Sequence, residues 1–190
     1  MLGLQVAPAD AVDVVDHGRL DGEVVERAAA LVEQRAALGD WKCNTIERTV
    51  SRLNPVVKDS GFNGPIHIKT VPWKNADLDN AARWVAGQDI KALTDVCDGV
   101  IPMSFTQILG KDPAWKTSHL DYVHDTTGVN PYSYVQFEPL IRDTPITATD
   151  IEAEIRAAEK ESRGGIIYFH WEQIMGNTEK QEIVKRHRDL

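Results

Sequence analysis

Glu138 and Glu172 each follow a short apolar run and stand beside rings, Phe137 before the first and His170 and Trp171 before the second. Two carboxyl groups facing one substrate suit glycoside hydrolysis: one protonates the leaving oxygen while the other acts as nucleophile or activates water. Both are candidate catalytic residues. Trp73 and Trp171 offer flat apolar faces for a sugar ring, and Met103, Gln136, His170 and His67 complete a candidate substrate-binding set. A purely structural role competes at each position. Glu138 can cap a turn with Pro139, Glu172 can accept backbone amides at a short helix, and the tryptophans can be core.

Other chemistries find less support. His67 and His170 could join Glu138 or Glu172 around a divalent metal, but there is neither an HExxH run nor a closely spaced histidine pair, so no metal is expected. Ser104 lies at a strand end without a Gly-x-Ser-x-Gly elbow, and Cys97 precedes a strand instead of following one. Cys43 and Cys97 are too few for a disulfide framework and are expected to be reduced and half-buried. No cofactor is expected.

To act together, these residues must share one end of a set of strands. A strand, loop and helix unit recurs roughly every 33 residues, closing at Trp73, Phe105, Glu138 and Glu172. The strands are expected at Ile66–Val71, Gly99–Phe105 (with Pro102 as a warning), Tyr132–Phe137 and Ile166–Phe169. Helices are expected around Leu78–Val85, Ile90–Val96 and Trp115–Asp125. A further helix should be capped by Thr149-Asp150-Ile151-Glu152, carry Ile151, Ile155 and Ala158 on one face, and stop at Gly164-Gly165. Thr178-Glu179-Lys180-Gln181 is a second capping-box match, opening a last helix with Ile183 and Val184.

Upstream, Met1–Leu20 holds a short apolar start (Leu2, Leu4, Val6) followed by Pro8 and Gly18. Gly22–Leu38 has one apolar helical face and a stop at Gly39, with a joint at Gly39-Asp40-Trp41. Ile46, Val50, Leu53 and Val57 form a second helix that Pro55 should end or kink near Asn54. The fold class is α/β: one domain over 1–190, with a helical segment at 1–60 and four parallel β/α units at 61–190. Four units are half of a (β/α)8 barrel, so a half or truncated barrel fits the count.

Strand parity groups the side chains further. Ile66 and Ile68 oppose His67 and Lys69; Ser133, Val135 and Phe137 oppose Tyr134, Gln136 and Glu138. Ile167, Phe169 and Trp171 oppose Tyr168, His170 and Glu172. Each of these strands is expected to turn its apolar face to helices and its polar face to a barrel interior or cleft.

Three stretches carry a resemblance: Ile66 to Trp73 with its Val-Pro-Trp ending, Gly87-Gln88-Asp89 with Leu93, and Asp98 to Met103 with its Pro-Met ending. With Tyr134 to Pro139 and Gly165 to Trp171, they resemble the second half of bacterial glycoside-hydrolase-like TIM-barrel proteins. The resemblance covers about Asn44 to Ile174 and implies strands five to eight of a barrel. It implies that Glu138 ends strand seven, where many retaining glycosidases of this fold carry the nucleophile. Their acid/base residue on strand four has no counterpart here. The chain is then a fragment of a larger enzyme or a half-barrel that closes as a homodimer. The alternative function is a non-catalytic carbohydrate-binding or assembly module, with Trp73 and Trp171 stacking on the ligand.

Charge and composition bound the partners. A net charge of −8 in 190 residues opposes nucleic-acid binding, and Lys185-Arg186-His187-Arg188 reads as a cationic helix end. No apolar run approaches a membrane span, and no basic region with an apolar core opens the chain, so neither membrane insertion nor export is expected.

Overall fold

A computed structural model describes residues 22–141, 143–161 and 164–187. The expected segment Met1–Leu20 and Arg188 lie outside them. The described residues begin with one long helix, α1 (Gly22–Asp59), about 57 Å in length at the usual rise per residue. The joint expected at Gly39-Asp40-Trp41 is absent. Gly39 does not stop the helix; it admits the backbone at Trp84, since a Cβ there would lie 3.3 Å from Trp84 Cα. Nor does Pro55 end the helix at Asn54, for four more residues follow it. Side chains hold this last stretch down: Asn54 Nδ2 donates to Val96 O at 2.9 Å and Lys58 Nζ to Gly64 O at 2.8 Å.

Four short strands follow, β1 (His67–Thr70), β2 (Gly99–Pro102), β3 (Tyr132–Gln136) and β4 (Gly165–Phe169). Between β1 and β2 lie a 3-10 turn at Asp77–Asp79 and two one-turn helices, α2 (Ala81–Trp84) and α3 (Ile90–Thr94). A short helix α4 (Thr106–Leu109) and the longer α5 (Pro113–Thr127) join β2 to β3. Helix α6 (Ala148–Glu161) precedes β4, and α7 (Trp171–Met175) and α8 (Thr178–Arg186) follow it. The class is α/β, as expected, with helices dominant.

The strands do not form one ladder. β1 pairs with β2 and β3 with β4, both in parallel, as two two-stranded sheets. β2 stops at Pro102, three residues short of the expected Phe105, because after Met103 N has donated to Thr70 O at 2.9 Å the chain folds back on itself, Ser104 N donating to Pro102 O at 2.7 Å and Phe105 N to Met103 O at 2.9 Å. Each pair has its own core. Val100 and Ile68 pack on Ile90, Leu93 and Val123 with Ile46 and Val50 of α1; Val135 and Phe137 pack on Ile151, Ile155, Ala158 and Ile183. The opposite faces are joined by aromatic side chains, with His67 at 4.9 Å from Tyr132 and Phe105 at 4.7 Å from Tyr134 and 5.1 Å from Phe169 between ring centroids.

Parity therefore holds for β1 and β3 and reverses for β4. Register places Ile167 and Phe169 beside Tyr134 and Gln136, whereas Ile166 and Tyr168 join Val135 and Phe137 against the helices. Tyr168 was expected on the polar side. Its ring outweighs its hydroxyl: it packs edge-on against Phe137 at 5.6 Å, and burial pushes its pKa up.

Helix ends are set one or two residues from where the sequence motifs suggested. Thr147 and Asp150 form the reciprocal pair ahead of α6, Thr147 N and Oγ1 donating to the Asp150 carboxylate at 2.9 and 2.7 Å and Asp150 N to Thr147 Oγ1 at 3.2 Å. Glu152 instead pairs with Arg186 of α8. Asn177, not Thr178, caps α8 by accepting from Lys180 N at 3.1 Å, and Gln181 donates to the Met175 carbonyl at 2.7 Å. In both cases a better-placed polar oxygen stood just upstream of the motif.

Candidate functional site

In parallel α/β folds, ligands bind beyond the carboxyl ends of the strands. Past β1 the chain runs Pro72-Trp73-Lys74 and is pinned to α5: Lys74 Nζ donates to Ser118 Oγ at 2.9 Å and Asn75 N to Tyr122 Oη at 2.9 Å. Asp77 accepts from Lys74 N at 2.8 Å, which fixes the turn. Past β2, α4 and the start of α5 bring Leu109, Lys111 and Trp115 opposite. Asp112 caps α5 through Trp115 N at 2.8 Å and Pro113 follows at its first turn, which orients this end of the helix. Between these two stretches lies a cleft of about 520 Å³ with Trp73 and Trp115 in its lining. Trp115 was not singled out in the sequence, although its place two residues past the Asp112-Pro113 helix start signals an exposed first turn at the strand-end rim.

Behind Trp115 its ring stacks on His119, with centroids 5.3 Å apart and planes 11° from parallel. His119 is 1% exposed, and neither ring nitrogen has a partner. Burial, with Lys74 nearby, lowers its pKa to about 4; Asp77 opposes this weakly. The buried imidazole thus backs the Trp115 ring.

The two candidate carboxylates stand at the ends of the paired strands β3 and β4, where Phe137 N donates to Phe169 O at 3.2 Å. They are engaged separately. Glu138 forms an ion pair with Lys180, a nearly buried residue of α8. Glu172 lies in the first turn of α7, its side chain 79% exposed and paired with His170 Nδ1. A backbone amide there, then His170, holds the Glu172 carboxyl below its usual pKa. Among the described residues no hydrogen bond or ion pair joins Glu138 to Glu172.

The remaining sequence candidates scatter. Trp171 is 66% exposed at the start of α7, and Met103 is half-buried, its amide donating to Thr70 O at 2.9 Å. His67 is the first residue of β1 and so lies at the amino end of the strand, away from the rim. Gln136 is buried at the end of β3 and donates to Glu138 O at 2.6 Å. Among the described residues no group of three metal-ligating side chains exists, and no helix is long and apolar enough to cross a membrane.

The motifs that carried the family resemblance have structural duties. Gln88 Oε1 accepts from Val71 N at 2.7 Å and so extends the edge of β1 beyond its end. Asp89 caps α3 through Lys91 N and Ala92 N and pairs with Arg83. Asp98 accepts from Ile66 N at 2.7 Å, which, with Lys58 beside it, keeps its carboxyl below the usual range. Both cysteines are free thiols, raised in pKa by burial. No protein-family model, no curated protein and no solved structure matches the chain.

Proposed function

We propose that the chain is a carbohydrate-binding module of glycoside-hydrolase-like ancestry that holds a saccharide in the cleft between Trp73 and Trp115. The carrying observation is that two tryptophans line one rim cleft together with Lys74, Asp77 and Lys111. Indole faces suit the C–H face of a sugar, while the ammonium and carboxylate groups suit its hydroxyls. The fold is read as a half-barrel because His67 of β1 meets Tyr132 of β3, and Phe105, just past β2, meets Phe169 of β4. The free edges of β1 and β4 then need cover, from a second copy or from further β/α units of a longer chain.

Binding without turnover is preferred over hydrolysis for an electrostatic reason. A glycosidase acid needs a raised pKa so that it holds its proton near neutrality, whereas Glu172 is shifted down. Glu138 is already engaged by Lys180 of α8. Hydrolysis stays as the second reading because Glu138 and Glu172 close neighbouring strands.

The test is calorimetric titration of the folded chain with a panel of linear oligosaccharides, alongside an aryl-glycoside turnover assay. Saturable binding that weakens at least tenfold in Trp73→Ala supports the proposal, taking stacking at about 1.4 kcal/mol or more. Absence of binding across the panel overturns it. Turnover that disappears in Glu138→Gln or Glu172→Gln would establish the second reading instead.

A further inference from the structure

The tryptophan cleft carries a charge pattern that a neutral sugar does not need. Carboxylates outnumber lysines and arginines by 29 to 21, and basic groups elsewhere find them: Lys58 pairs with Asp98, Arg83 with Asp40 and Asp89, Lys91 with Asp95, and Lys180 with Glu138. The two lysines of the cleft do not. Lys74 Nζ donates to Ser118 Oγ at 2.9 Å and stands 5.7 Å from the Tyr122 ring centroid, so its charge meets a hydroxyl and a ring face. Lys111 is exposed, and among the described residues its ammonium has neither a hydrogen-bond nor an ion-pair partner.

Lys111 is nonetheless set on a fixed backbone. Gly110 ends α4 in the left-handed region, at φ 64°, with its N–H bonded to Gln107 O, and Lys111 N donates to Thr106 O at 2.8 Å. Two of the α4 carbonyls thus already have backbone donors, and a helix of one turn has little dipole for a cation to offset.

The nearby carboxylates have other duties. Asp77 lies on the Lys74 side of the cleft, where it accepts from Lys74 N at 2.8 Å and balances one of the two ammonium charges. Asp112 adjoins Lys111 in sequence but caps α5, accepting from Trp115 N at 2.8 Å, and the positive end of that helix offsets its charge. One positive charge is left over, on the wall that carries Lys111, Leu109 and Trp115. At 0.1 M salt charges beyond roughly 10 Å are largely screened, so the net −8 of the whole chain counts for less here than the lysines lining the cleft.

We propose that the ligand of this cleft is an acidic saccharide, with sugar rings against Trp73 and Trp115 and its anionic group, a ring carboxylate or a sulfate ester, at Lys111, Lys74 being the second cation. This rests on the reading of the cleft as a saccharide site and adds the class of saccharide.

The experiment is calorimetric titration of the folded chain with matched pairs: galactose against galacturonic acid oligomers, glucose against glucuronic acid oligomers, and lactose against its sulfate ester. In 0.1 M salt at least one acidic member should bind about fivefold tighter than its neutral partner, and the ratio should fall toward one in 1 M salt. A preference in only one kind of pair supports the proposal and identifies the anionic group. Lys111→Met leaves Lys74 balanced by Asp77 and should bring the ratio to about one, whereas Lys111→Arg should keep it. Lys91→Met removes the same charge from an exposed site on α3 outside the cleft and should leave the ratio unchanged.

Equal affinity for acidic and neutral partners overturns this inference and leaves the saccharide site standing. So does a ratio that survives Lys111→Met, or one that falls as far in Lys91→Met. Binding of no saccharide, acidic or neutral, overturns the site itself and this inference with it.

Discussion

Acidification from pH 7 to pH 5 should cost the fold about 2 kcal/mol through His119 alone. In the folded chain the ring titrates at about 4, because it is buried against Trp115 and faces Lys74, with Asp77 only partly compensating. In the unfolded chain it titrates near its ordinary value of 6.5. The folded pKa of this base is depressed, so between those values the unfolded state binds the extra proton. Stability is then fully present above pH 6.5 and is lost as pH falls toward 4, below which the loss levels off. The full loss is 6.5 − 4 = 2.5 pH units, or about 3.4 kcal/mol, most of it spent by pH 4.5. The comparison is with His119→Phe, which preserves the stacked ring and removes two nitrogens that have no partner. Urea unfolding at pH 7, 6, 5 and 4.5 should show the variant at least as stable as the parent at pH 7. Below that, the gap should widen by about 2 kcal/mol by pH 5. Carboxylates titrate in both proteins and cancel in the difference. An identical pH dependence in parent and variant would refute the reasoning.

Lys116→Met strands Glu154 and should destabilise by about 3–5 kcal/mol, whereas adding Glu154→Leu should recover most of that loss; chemical unfolding of the parent and the two variants measures both steps. At Gly164 a Cβ would stand 2.5 Å from the Asn130 carbonyl oxygen, so Gly164→Ala must displace backbone and should lower stability by about 1–3 kcal/mol in a thermal melt. Ile155→Ala empties part of the core behind β3 and β4 and should cost about 2–5 kcal/mol by urea titration. Both thiols are raised in pKa by burial, so at pH 8 they should react with a disulfide reagent more slowly than a free thiol, and urea should restore the rate.

Much of the element order was legible because its signals are local. The strand expected at Ile66–Val71 and found as β1 (His67–Thr70) lies between Gly64-Pro65 and Pro72, and α5 is bounded by Asp112-Pro113 and Gly128; each boundary is a backbone preference that acts within a few residues. The single helix α1 was not legible, because whether Gly39 stops a helix or lets another pack on it depends on Trp84, 45 positions away. The orientation of β4 failed for a related reason. Tyr168 is polar in a composition sense, yet the apolar ring of Phe137 and the residues of α6 decided which face it joined.

The candidate site divides along the same line. From its sequence alone, the chain could be assigned an α/β class and the order of its strands and the helices between them, because these follow from period and turn chemistry. Tertiary structure decided which residues share a cavity. It gave Glu138 to Lys180, left Glu172 beside His170 in solvent, and set Trp73 opposite a Trp115 contributed by a different β/α unit. Partnership between residues far apart in sequence depends on packing geometry and on where each charge finds its nearest counter-charge, and neither is encoded in any short run of residues.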